Sequence, residues 1–166
     1  VDILAPLYWW KEFDTYKVGT VANSCSTMHK IQAKEFTIDD FSHEHLFDLG
    51  DMISMSPKGD DLPKPIISVD GNDFYYSSVK FLEITCSLLN YFRDKYNETK
   101  DKKYWWQMIQ LLPSSYNQLR TVMLNYEVLH NIYFSRHDHK LDEWHDFCDW
   151  IKKLPHSDVI LCKETE

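Results

Sequence analysis

Residues 112–136 read LPSSYNQLRTVMLNYEVLHNIYFSR, and how this stretch is parsed decides the fold. Leu112-Pro113 stops any helix before it, because proline has no N–H to give and its ring crowds the preceding turn. Ser114 or Ser115 then stands where a helix N-cap is wanted, and the pattern predicts one long helix running to about Arg136. Val122, Tyr126, Leu129 and Tyr133 form its expected core stripe. Asn125, Asn131 and Arg136 punctuate it. Asn125 and Arg136 are separated by about three turns, so they share a face roughly 16 Å apart along the axis, with Asn131 about 120° away. Polar groups on two faces suit a helix lying between two ligands or two subunits. Asn is a poor helix former, so two in mid-helix need a reason.

Working outward, Leu141, Trp144, Phe147, Cys148 and Ile151 stripe a last helix that Pro155 closes. Upstream, Tyr104–Leu112 is a short amphipathic helix, preceded by a charged break at 97–103. From Ser78 the chain is helical, with Phe81, Ile84, Leu88, Tyr91 and Phe92 on one stripe at helical spacing. Residues 66–69 and 73–76 flank Asp70-Gly71-Asn72 and read as a small hairpin, since Asp-Gly tolerates the turn's positive φ. Residues 52–64 are proline-bearing loop. Thr37 and Asp40 form a capping pattern that predicts a short helix over about 38–48. Residues 15–21 are rich in β-branched types and read as extended, and 23–29 as a loop or helix start. Ala5-Pro6 opens a short helix striped by Leu7, Trp10 and Phe13. The expected class is α+β: a small N-terminal β element followed by a predominantly helical C-terminal half.

At 166 residues the chain reads as one domain. A composition 43% hydrophobic and 15% aromatic, with six Trp, is that of a packed chain. The net charge of -8 repels phosphate backbones and disfavours a nucleic-acid partner; Lys100, Lys102, Lys103, Lys152 and Lys153 read as solvated ends. No G-x-G-x-x-G or G-x-x-x-x-G-K-[ST] occurs. No apolar run approaches the length of a membrane span. Cys25, Cys86, Cys148 and Cys162 form no C-x-x-C pair, so reduced thiols and a cytoplasmic location are expected. Val1-Asp2-Ile3-Leu4 reads as the end of a strand whose lead-in is missing.

The Leu112-Pro113 … Asn125 … Asn131 … Arg136 spacing resembles the L-P followed by N-x5-N-x4-R in flavin-dependent thymidylate synthases. The resemblance covers roughly residues 5–30 and 80–145. It implies that 1–166 is a single synthase-like domain lacking its N-terminal segment, of a divergent kind expected in phage and mobile-element genomes. It implies FAD as cofactor, with Asn125 and Asn131 facing the flavin. It implies a dUMP-like nucleotide as substrate, contacted by Asn23, Ser26 and Arg136, with folate as carbon donor. It also implies a homo-oligomer, a tetramer, whose sites are shared between subunits.

The family signature W-x-R-H-R-x5-N-E-x-S-G-R-Y is only partly present. Asn23 and Ser26 match, while Ser24, Thr27, Met28 and His29 replace the acid, Gly, Arg and Tyr. In place of R-H-R, an ungapped alignment puts Tyr16, Lys17 and Val18; a gapped one puts Lys11, Glu12 and Phe13. The family's Arg ahead of L-P is Ile109, and 141–144 does not match its A-Q-x-E-I. Flavin and dUMP are anionic, and each lost charge-assisted hydrogen bond is worth about 1.5–3 kcal/mol. The loss therefore counts against FAD binding and against reductive methylation of dUMP, and no catalytic residue is assigned.

The alternative is a non-catalytic, oligomeric interaction or regulatory protein on the same fold. A weaker one is a metal enzyme built on His43-x-His45 or His137-x-His139, with Asp138 and Asp142 nearby; H-x-H is common by chance in a chain with eight His, and no metal site is assigned. Cys25 and Ser26 near His29 could suggest a nucleophile, but no oxyanion motif accompanies them. The Trp9-Trp10 and Trp105-Trp106 pairs read as core and subunit interface.

Overall fold

The computed structural model describes residues 1–24, 30–54, 67–69, 72–74 and 76–162. Two compact units form: Val1–Thr27 with Tyr116–Glu166, and Met28–Ser115.

In the first unit, strand β1 (Asp2–Pro6) runs directly into helix α1 (Leu7–Phe13), with Pro6 as its N-cap. Trp9, Trp10 and Phe13 are buried, whereas Leu7 is only half-buried. Strand β2 (Thr20–Ser24) comes later than the extended stretch expected at 15–21. Its start follows Gly19, whose φ is +76°.

The predicted long helix is two elements. Asn117–Leu124 is a strand, here β5, and only Tyr126–Arg136 is helical, here α5. β5 is the centre of an antiparallel sheet in the order β1-β5-β2, with Leu4 opposite Leu119 and Val21 opposite Met123. The backbone of 117–124 thus finds partners on both sides, which an isolated helix end could not offer. Val122 faces the core, while Leu119 and Met123 face out and are exposed. Apolar residues on both faces of β5 blur the two-residue alternation that would have announced a strand.

α5 packs with α6 (Asp142–Lys152) and α7 (Ser157–Leu161). α6 buries Trp144, Phe147, Cys148 and Ile151, the stripe expected of it. Trp9 lies at the centre of an aromatic core, 4.6 Å from the Trp144 ring and 5.0 Å from that of Phe13. Pro155 does not end the helical region: His156, at φ +57°, turns the chain into α7.

In the second unit, the Thr37–Asp40 capping box forms, but it starts a single 3-10 turn, Ile38–Asp40, rather than a helix to 48. Phe41 is drawn into extended geometry and buried, and the next N–H, of Ser42, donates to Ser115 O at 2.8 Å. Helix α2 (Leu49–Ser54) covers the start of the expected loop. β3 (Ile67–Val69) and β4 (Asn72–Phe74) pair antiparallel as the expected hairpin; Asp70 and Gly71 lie outside the described residues.

Helix α3 (Ser78–Thr99) is capped by Ser77, whose hydroxyl accepts from Lys80 N–H, and ends at Lys100 in the left-handed region. Asp101 caps α4 (Lys102–Leu111), which packs on α3. The buried stripe of α3 is Leu82, Cys86 and Leu89. The apolar stripe marked by the helical spacing is largely outside: Phe81 is 58% and Tyr91 54% exposed, with Ile84 and Leu88 also exposed and Phe92 half-buried. α3 carries two apolar stripes, and the packing of its unit buries only one.

Candidate functional site

Arg136 ends α5, where the partial negative charge of the helix C-terminus favours a cation. Its Nε donates to the Tyr16 hydroxyl at 2.9 Å and its Nη1 to Glu12 Oε2 at 3.0 Å. Trp144 Nε1 donates to the same Glu12 oxygen at 2.8 Å, and His139 Nε2 lies 3.4 Å from it. The Leu141 N–H donates to His139 Nδ1 at 3.2 Å. In the neutral imidazole this leaves the proton on Nε2, the nitrogen on the Glu12 side. The guanidinium stacks over the buried Trp144 ring, 4.9 Å from its centroid. Two N–H groups, from Arg136 and Trp144, therefore converge on one carboxylate oxygen, with the His139 ring beside it.

Such a donor set recognises an oxyanion, and here the oxyanion belongs to the chain. The other two arginines are also matched: Arg120 with Asp14 at 2.8 Å and Arg93 with Asp94 at 2.8 Å. Every guanidinium of the chain thus has a carboxylate beside it.

Asn125 is the N-cap of α5, not a mid-helix residue: its Oδ1 accepts from the Val128 N–H at 2.9 Å. That removes the need to explain an Asn inside a helix. Asn131 is exposed on α5. Asn23 lines a cavity of about 470 Å³ with Val21, Thr121, Met123 and Tyr126. Arg136 is not among the residues lining it. Ser26, like Cys25 and His29, lies outside the described residues.

One histidine of each pair has a local partner. His43 Nδ1 is 2.8 Å from Phe41 O, and His137 Nε2 is 3.1 Å from Asp138. Among the described residues no three His, Cys, Asp or Glu side chains are grouped to hold a metal ion. Burial pushes the Cys148 thiol up to about 11 and raises that of Cys86, which holds both in the unreactive neutral form.

Sequence reasoning singled out Arg136 but not its partners. The one available signal was position: Tyr16 and Glu12 fall, in the ungapped and gapped alignments respectively, where the family has R-H-R.

The structure is similar to a flavin-dependent thymidylate synthase, ThyX, from Helicobacter pylori complexed with FAD and dUMP. The TM-score is 0.57 at 16% identity, covering 96% of this chain and 70% of that one. A second structure of Helicobacter pylori ThyX with FAD and dUMP matches with a TM-score of 0.56 at 16% identity, over 96% and 68% of the two chains. The chain has a ThyX-like α+β fold. No protein-family model matches it, and no curated protein matches it in sequence. No described helix is long and apolar enough to cross a membrane.

Proposed function

We propose that the chain is a nucleotide-binding protein of the flavin-dependent thymidylate synthase type, a divergent one of the phage or mobile-element kind. The observation that carries this reading is the fold similarity over 96% of the chain to synthases complexed with FAD and dUMP. Arg136 supports it, because its neighbours form an oxyanion-binding donor set. In this reading Asn23, Ser26 and Arg136 contact the nucleotide, Asn125 and Asn131 the flavin, and a cytoplasmic homo-oligomer, a tetramer, shares its sites between subunits. Asn125 would serve the flavin only with the side-chain atoms its cap leaves over.

The donor set fits a phosphate group. It does not fit a flavin diphosphate, which needs more than one cation, because Arg136 is its single guanidinium and Arg120 and Arg93 are paired with Asp14 and Asp94. We therefore derive no reductive methylation step and no folate step. The test is an absorbance spectrum from 300 to 550 nm after adding FAD and desalting. Retained bands near 375 and 450 nm would establish a flavin site and call for a synthase assay. A flat spectrum, with no heat on titration with dUMP, would remove both ligands.

A second reading is a non-catalytic, oligomeric interaction protein on this fold. Two observations favour it: the matched arginines, and the exposed apolar stripe of Phe81, Ile84, Leu88 and Tyr91 on α3. An Arg136→Ala protein with an undiminished cellular phenotype would select this reading.

A further inference from the structure

Glu12 presents a carboxylate oxygen to Arg136. Its Oε2 accepts from Arg136 Nη1 at 3.0 Å and Trp144 Nε1 at 2.8 Å, with His139 Nε2 at 3.4 Å. We propose that Glu12 is an internal competitor for an oxyanion subsite made by Arg136, Trp144 and His139, so that a phosphate ligand binds there only by displacing this carboxylate.

Three features carry the inference. The three groups come from different parts of the chain, the end of α5, the following turn and α6, yet all lie within 3.4 Å of one oxygen. Trp144 is fully buried apart from this contact, so its N–H would be left without an acceptor if Glu12 moved and nothing replaced it. Glu12 itself stands in the last turn of α1 with its side chain 35% exposed, and it can swing into water without disturbing the helix. Exchange of one oxyanion for another keeps every donor satisfied. The carboxylate also cancels the guanidinium charge, so in a chain of net charge -8 the subsite offers a phosphate no excess positive field while Glu12 is in place.

This subsite rests on the nucleotide reading for its biological ligand but not for its chemistry, and the experiment separates the two. Inorganic phosphate and dUMP are titrated into the full chain and into Glu12→Gln. Gln keeps an oxygen for the Trp144 N–H and removes only the charge. Glu12→Gln is expected to bind both ligands about 10-fold or more tightly than the parent, and a second change, Arg136→Gln, to abolish the gain. A gain for phosphate with dUMP binding no better than phosphate upholds the competitor role and removes the nucleotide. Binding of dUMP by the parent with no gain in a folded Glu12→Gln overturns the competitor role and keeps the nucleotide. Silence from both proteins with both ligands overturns both. Should Glu12→Gln not fold, the Arg136 Nε–Hε signal of the parent decides: displacement of Glu12 by phosphate moves it, and an unmoved signal across the titration overturns the proposal.

Discussion

Asn125 lies against the bare Cα of Gly19: a β-carbon at position 19 would come within 2.5 Å of the Asn125 side-chain nitrogen. The backbone joins them as well, through Asn125 N–H to Gly19 O at 3.3 Å. Gly19 leads into β2 and Asn125 leads out of β5, so this contact closes one end of the sheet. With φ at +76°, position 19 is strained for any residue with a side chain. Gly19→Ala adds that strain to the collision and is expected to cost about 2–4 kcal/mol in urea unfolding. A loss below about 0.5 kcal/mol would show that the sheet end yields freely.

Asn125 should behave as a cap. Asn125→Ala is expected to lower stability by about 1 kcal/mol, while Asn125→Asp stays within about 0.5 kcal/mol because it keeps an acceptor for the Val128 N–H. Equal losses in the two variants would show that the amide nitrogen, not the cap oxygen, is what matters.

Leu88 and Leu89 are sequence neighbours with opposite fates. Leu89→Ala removes a fully buried side chain and should cost about 2–4 kcal/mol. Phe81→Ser with Leu88→Ser removes exposed apolar surface and should leave the monomer's stability within about 0.5 kcal/mol. If the α3 stripe is a subunit contact, the same pair lowers the mass measured by light scattering. An unchanged mass would take the stripe out of the oligomer interface.

The thiols should differ in reactivity. Cys148 is buried with its pKa pushed up to about 11, whereas Cys162 is exposed. At pH 8 iodoacetamide should label Cys148 about 100-fold more slowly than Cys162, with mass spectrometry locating the adducts. The raised value also has a sign in stability. Below the ordinary value of 9.0 the thiol is neutral in both states and nothing changes; from there to about 11 the unfolded chain loses its proton first. Cys148 should therefore destabilise the fold progressively from pH 9 to 11, and Cys148→Ala should flatten that part of the profile. An unaltered slope would exclude Cys148 as its source.

Local chemistry told most about where helices begin and end. Proline 113 closes the helix over 102–111, and Thr37 with Asp40 marks a cap, because an orphan N–H or a missing one is settled within three or four residues. The stripe of α6 was legible for a related reason: only one of its faces is apolar, so there was one way to bury it.

α3, with two apolar stripes, left that choice to the packing around it. The residues 117–124 became a strand because β1 and β2, each from the first 24 residues, supply hydrogen bonds on both edges. Asn125 was visible from the start as a break in an apolar run, but whether it was a ligand contact or the boundary between strand and helix depended on that pairing. The same holds for Arg136. Its place and its cation were written in the chain, but the Glu12 that neutralises it lies 124 residues earlier. Sequence pattern reaches as far as a turn or a cap, while charge pairing and sheet pairing are settled only when distant segments are packed together.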